Sequence, residues 1–93
     1  MSLSISVPTS RQEIQQRLLA ILSREFDVDS AEISPETDLQ KDLDFDSLDG
    51  VALAGWIEEE TGLALTDDDI EQMRTIGEIV ELVHERVSVA RRA

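Results

Sequence analysis

The amino-acid sequence predicts an all-α protein, a single bundle of four helices with three longer ones, one short one and a long first loop. Three observations carry that prediction. Apolar residues recur at three- and four-residue intervals in three separate stretches, the spacing that lines one face of a helix. Nothing in the chain alternates as a half-buried strand does, and no internal repeat is present. A long turn-rich segment, Asp27 to Asp42, separates the first helical stretch from the second. Ninety-three residues allow one small domain with one core.

Residues 1–9 form an N-terminal arm, expected to be flexible, and residues 10–87 form the domain. Thr9 or Ser10 can cap the first helix, and Ser10 with Glu13 has the spacing of a capping box. Ile14, Leu18, Ile21, Leu22 and Phe26 then make the buried stripe of the first helix, widened by Leu19. Asp29-Ser30, Ser34-Pro35 and Thr37-Asp38 are turn-forming pairs. Val28, Ile33 and Leu39 are irregularly spaced anchors that pin this connector onto the bundle, since long loops in compact domains are packed or functional.

The second helix is expected to begin at Ser47, with Asp46 as N-cap and Asp49 three residues beyond it, and to run to Glu60 or Thr61. Gly62 stops it. Leu53 and Ile57 suit a core, with Trp56 at its edge, more often packing than a binding device. Leu48, Val51, Ala52 and Gly55 fall on the opposite side, flanked by Glu58 and Glu59. A surface helix normally has one apolar face, and this one has two. Thr66 caps a short acidic turn, Asp67 to Met73. The last helix starts at Thr75, with Glu78 at capping-box spacing, and carries Ile76, Ile79, Val80 and Val83. Residues 88–93 are expected to fray as a flexible C-terminal tail.

Charge narrows the function. With 21 acidic and 8 basic side chains the formal net charge is −13, which repels nucleic acid and anionic membranes and favours basic protein surfaces. No apolar run approaches the ~20 residues of a membrane span. The start lacks the basic leader and apolar core of a signal peptide. There is no cysteine, hence no disulfide framework and no thiolate nucleophile of the chain's own. A cytoplasmic monomer is the expectation.

The segment Leu43-Asp44-Phe45-Asp46-Ser47-Leu48-Asp49 sets one serine among three carboxylates where loop gives way to helix. Nucleophilic catalysis at Ser47 would need a base within reach and an orienting group behind it. The single histidine, His84, lies on the last helix at a position expected to be exposed, and neighbouring carboxylates oppose a developing oxyanion. A catalytic serine does not follow. Asp42, Asp44 and Asp46 alternate as in an EF-hand, but the sixth and twelfth positions hold Ser47 and Leu53 where glycine and glutamate are required. No specific metal site follows either. Two readings of Ser47 remain: a helix start, and a first-turn hydroxyl at which a phosphodiester could meet free backbone N–H groups.

The stretch Asp42 to Asp49 resembles the phosphopantetheine attachment motif of acyl carrier proteins, whose core is Asp-Ser-Leu. Val51, Leu53, Ile57-Glu58-Glu59-Glu60, Thr66-Asp67-Asp68-Asp69 and Thr75-Ile76 extend the resemblance over about residues 10–87. It implies an acyl-carrier-like bundle with no catalytic activity of its own. Phosphopantetheine would be attached covalently at Ser47, transferred from coenzyme A by a magnesium-dependent phosphopantetheinyl transferase (holo-carrier synthase). The arm's thiol would hold acyl groups as thioesters for acyl-transferring and chain-elongating enzymes with basic docking surfaces. Asp46, Asp49, Glu58 and Glu59, with Leu48 and Val51, would meet those partners. Leu53, Ile57, Leu65 and Ile70 would line the space for an acyl chain.

The sequence also departs from the family pattern. Asp44 stands at the glycine of Gly-x-Asp-Ser and is followed by the bulky Phe45. Ala52 replaces a common acidic residue, Gly55 a larger apolar one, and Trp56 a smaller one. The expectation is a thinner partner face, a smaller acyl cavity, and room for a specialised pathway beside fatty-acid synthesis. An aminoacyl or peptidyl carrier, and an unmodified acidic adaptor docking a basic partner through Leu48 and Val51, are the alternatives.

Overall fold

A computed structural model describes residues 10–92, so the arm at 1–9 lies outside the described residues. Its elements are α1 (Arg11–Phe26), a 3₁₀ turn (Ser30–Glu32), α2 (Ser47–Thr61), α3 (Asp67–Glu71) and α4 (Ile76–Arg92). This is the all-α bundle expected, with three long helices and one short one, and no β-strand among the described residues.

The caps are where the residue types place them. Ser10 Oγ accepts the Glu13 amide at 3.1 Å while Glu13 Oε1 accepts the Ser10 amide at 3.3 Å. Thr75 and Glu78 make the same reciprocal pair at 3.2 and 3.0 Å, so Thr75 is the cap of α4 and Ile76 its first residue. Gly62 ends α2 at φ 78°, its N–H bonded to Glu58 O at 2.7 Å. Asp27 takes the left-handed conformation after α1, at φ 57°. α4 does not stop at residue 87, the domain boundary expected from sequence. It continues through Arg92 because Val87, 2 % exposed, extends the buried stripe and gives the last turns a tertiary anchor.

Ile21 and Leu22 of α1, Leu53 of α2, and Ile76, Ile79 and Val83 of α4 are the largest fully buried side chains, so the core lies where these three helices meet. The long first loop is a packed strap. Ile76 N–H donates to Thr37 O at 3.0 Å, Gly77 N–H to Pro35 O at 2.9 Å, and Leu39 N–H to Arg74 O at 2.8 Å. A helix start leaves its first N–H groups without intrahelical acceptors, and here loop carbonyls supply them. Gly77 permits that approach, since a Cβ there would sit 3.2 Å from Pro35 O. Leu39 is buried, while Val28 and Ile33 are half-buried against the core.

Candidate functional site

The strap delivers the chain to α2 through a tight turn. Asp38 Oδ1 accepts the amides of Gln40 and Lys41, each at 2.9 Å, and Asp42 Oδ2 accepts that of Asp38 at 2.8 Å. These bonds favour charged Asp38, and the Lys41 amide foremost holds its carboxyl below the usual carboxylate range. Asp44 then turns the backbone left-handed at φ 59°. Aspartate is among the few side-chain-bearing residues that tolerate this region, which explains how it can stand where the resemblance leads one to expect glycine. The turn sends Phe45 inward. Its ring is buried and stands 5.0 Å from that of Phe26, tilted by 38°. Phe45 is thus the plug that seats the start of α2 on the core.

Asp46 and Asp49 close a capping box around that start. Asp46 Oδ1 accepts the Asp49 amide at 2.9 Å and Asp49 Oδ2 accepts the Asp46 amide at 3.1 Å. Ser47 is the first helical residue, exposed, and its hydroxyl has no hydrogen-bond partner among the described residues. The Ser47 and Leu48 amides are left for solvent or an anion. His84 is half-buried instead of exposed, and it borders a surface groove with Arg11, Glu81 and Leu82 rather than the space beside Ser47. Among the described residues no group of three His, Cys, Asp or Glu is placed to hold a metal ion. Nor is any helix there long and apolar enough to cross a membrane.

The two faces of α2 separate as its pattern requires. Leu53, Ala54 and Ile57 are buried and Trp56 is half-buried, with the Arg24 guanidinium 5.7 Å from its ring. Opposite, Leu48 is 75 % and Val51 57 % exposed, beside exposed Ala52, Gly55, Glu58 and Glu59. Asp46 is exposed and Asp49 half-buried at the top of this strip. Leu48, Val51, Glu58 and Glu59 are therefore contiguous with Ser47 along one helix face, while Asp46 and Asp49 close its start.

A cleft of about 590 Å³ opens on the other side of Ser47. Leu39, Phe45, Gly50, Val51, Ile70 and Met73 line it, with Ile70 across from Gly50 and Asp46, Asp67, Glu71 and Arg74 among the residues around it. Of the four residues expected to line an acyl space, Ile70 lines this cleft. Leu53 and Ile57 are 0 % and 3 % exposed in the core, and Leu65 is half-buried against it. Leu39, Phe45, Gly50 and Met73 were not anticipated as lining. Gly50 was the available signal, a residue without a side chain on the inner side of α2, where an added Cβ would lie 3.7 Å from Ile70 Cγ2.

Residues 16–83 match the family model described as "Phosphopantetheine attachment site". The chain belongs to the acyl carrier protein family. It is 40 % identical to an acyl carrier protein of Picosynechococcus sp. over 75 residues, 81 % of this chain and 93 % of that protein. It is 35 % identical to one from Lactobacillus johnsonii, covering 80 % and 92 % of the two chains. For one from Thermotoga maritima the figures are 36 % identity, 84 % and 96 %. Phosphopantetheine is the group this family attaches, and the carrier is not itself a catalyst. The fit is good at Ser47, where an unencumbered hydroxyl starts a helix beside an open cleft.

A second feature of the carrier was not anticipated. Asp69, part of the short acidic turn, is 3 % exposed and bound by Arg86 through both oxygens, at 2.5 and 2.8 Å. The Arg86 hydrogen bonds foremost, then the Thr66 amide, hold the Asp69 carboxyl below the usual range. Arg86 flanks the apolar stripe of α4 between Val83 and Val87, and that position was the signal for it.

Proposed function

We propose that this chain carries acyl intermediates as thioesters on a phosphopantetheine arm attached to Ser47 Oγ. It delivers them in the cytoplasm to enzymes of fatty-acid, polyketide or another specialised biosynthesis. The observation that supports this most is the position of the Ser47 hydroxyl. It is solvent-exposed on the first residue of α2, between an exposed apolar strip and a cleft. When attached, the arm supplies the thiol that the polypeptide lacks.

What the chain's own residues do follows from geometry. Asp46 and Asp49 hold the helix start and leave the serine oxygen open to a phosphopantetheinyl transferase. In that transfer Ser47 Oγ gives its proton to the transferase and bonds the phosphorus that bears pantetheine, while the pyrophosphate bond of coenzyme A breaks and adenosine 3′,5′-bisphosphate leaves. Leu48 and Val51 offer apolar contact, while Glu58 and Glu59 complement a basic docking surface.

Incubation with coenzyme A, magnesium and a phosphopantetheinyl transferase, followed by intact-mass measurement, tests the reading. One arm's mass is expected on the native chain and none on Ser47→Ala. No gain with several transferases, or a gain that survives the substitution, refutes it. Loading trials with fatty-acyl and amino-acid ligases then separate an acyl from an aminoacyl carrier.

A further inference from the structure

The wall of the cleft opposite Ser47 belongs to the least self-sufficient element of the fold. α3 has five residues, and an isolated helix shorter than ~12 residues is marginal in water, so contacts elsewhere must hold it. Ile70 faces Gly50 of α2. The tie to α4 is polar: Asp69 gives both oxygens to the Arg86 guanidinium, and its Oδ2 also accepts the Thr66 amide at 2.9 Å. One carboxylate therefore starts α3 and moors it. Its setting is unlike that of the other ion pairs. The Asp69 side chain is 5 % exposed, whereas the carboxylate partners of Arg11, Arg17 and Arg24 are 26–60 % exposed.

A planar guanidinium holding both oxygens of a carboxylate fixes distance and orientation together, which an apolar contact of similar size does not. Ile70, the next residue, carries that constraint into the cleft. We propose that the Asp69–Arg86 pair is a latch that sets where α3 stands, and hence how deep a chain the cleft beside Ser47 admits. Asp69 and Arg86 are positioning residues for the cargo, acting through Ile70 and Met73. The inference rests on the carrier reading for what fills the cleft, and not for the mechanical role of the pair.

Two measurements test it. The first needs no arm. In the unmodified chain, Arg86→Gln is expected to speed amide hydrogen exchange at Ile70, Gln72 and Met73 about ten-fold or more, with the α1 amides unchanged. Uniform acceleration throughout the chain, or none at α3, overturns the latch.

The second loads Ser47 with butyryl- and octanoyl-phosphopantetheine from the corresponding coenzyme A thioesters and follows thioester cleavage by hydroxylamine. Native protein is expected to protect octanoyl about five-fold or more better than butyryl, because burial grows with each methylene. Arg86→Gln should bring that ratio to within about two-fold, and Arg86→Lys, which keeps charge but loses the fork, should fall between. Val83→Ala destabilises the core where α4 borders Ile14, Leu18 and Ile57 and should keep the native ratio. A native ratio in Arg86→Gln, or its loss in Val83→Ala, overturns the proposal. Failure to load Ser47 at all instead refutes the carrier reading, and the exchange measurement still decides the latch.

Discussion

The starts of α2 and α3 are built with the same device and put to opposite uses. Each has an N-cap side chain accepting the amide three residues on, and an aspartate there that accepts the N-cap amide in return. At α2 the box stays at the surface and leaves Ser47 open. At α3 the returning aspartate is buried and bound to Arg86. A capping box specifies where a helix begins. What that beginning is for depends on what the rest of the chain brings next to it, in one case solvent and in the other an arginine from α4.

The largest expected effect contrasts the two faces of α2. Leu53→Ala should cost about 2–5 kcal/mol in denaturant unfolding, because it empties a fully buried site, whereas Leu48→Ala should stay within about 0.5 kcal/mol. Comparable losses would mean that Leu48 is not a surface residue in solution.

Next come the two boxes themselves. Asp46→Ala removes a surface cap and should cost about 1 kcal/mol. Asp69→Ala leaves both the Thr66 amide and the Arg86 guanidinium without their carboxylate, so it should lower the melting temperature further than Asp46→Ala. Equal shifts would show the Arg86 contact to be thermally irrelevant.

The turn ahead of Ser47 ranks below these. Asp44→Val should cost about 1–2 kcal/mol because a β-branched residue resists positive φ, while Asp44→Gly should be near neutral.

Acid should then weaken the α3 box. Asp69, with Asp38 and Glu81, has its folded-state pKa lowered, chiefly by Arg86, the Lys41 amide and Arg11 respectively. Their stabilisation is complete above the unfolded carboxylate range, about pH 4, and is lost as pH falls through the lowered values. Melting temperature should therefore drop steeply below about pH 4, and less steeply in Asp69→Asn. The smallest effect is salt. With a net charge of −13, added salt or magnesium should raise the melting temperature by screening self-repulsion. It should also blunt the slower modification expected of Asp49→Lys and Glu58→Lys.

Much of this protein is legible in its sequence. Caps, stops and apolar periods are local chemistry, so Ser10, Asp46, Gly62, Thr66 and Thr75 marked the helix boundaries and Ser47 fell at a helix start. The two-sided pattern of α2 separated Leu53 and Ile57 from Leu48 and Val51 correctly, because a helical period converts spacing into faces. What could not be read was any property that joins distant segments. Asp69 looks like Asp67 and Asp68 in sequence, and only the packing of α3 against α4 sets it beside Arg86. Leu39, Phe45 and Met73 line the cleft because the strap, α2 and the α3–α4 turn converge there. Asp44 departs from the family's glycine in side chain, yet it adopts the positive φ that glycine favours. By itself the sequence determined the helices, the core faces and the exposed serine, since each depends on neighbours within about a turn or two of chain. Only the tertiary structure decided which carboxylate is a mooring and which residues form the cleft, since burial and pairing are set by residues far apart in sequence.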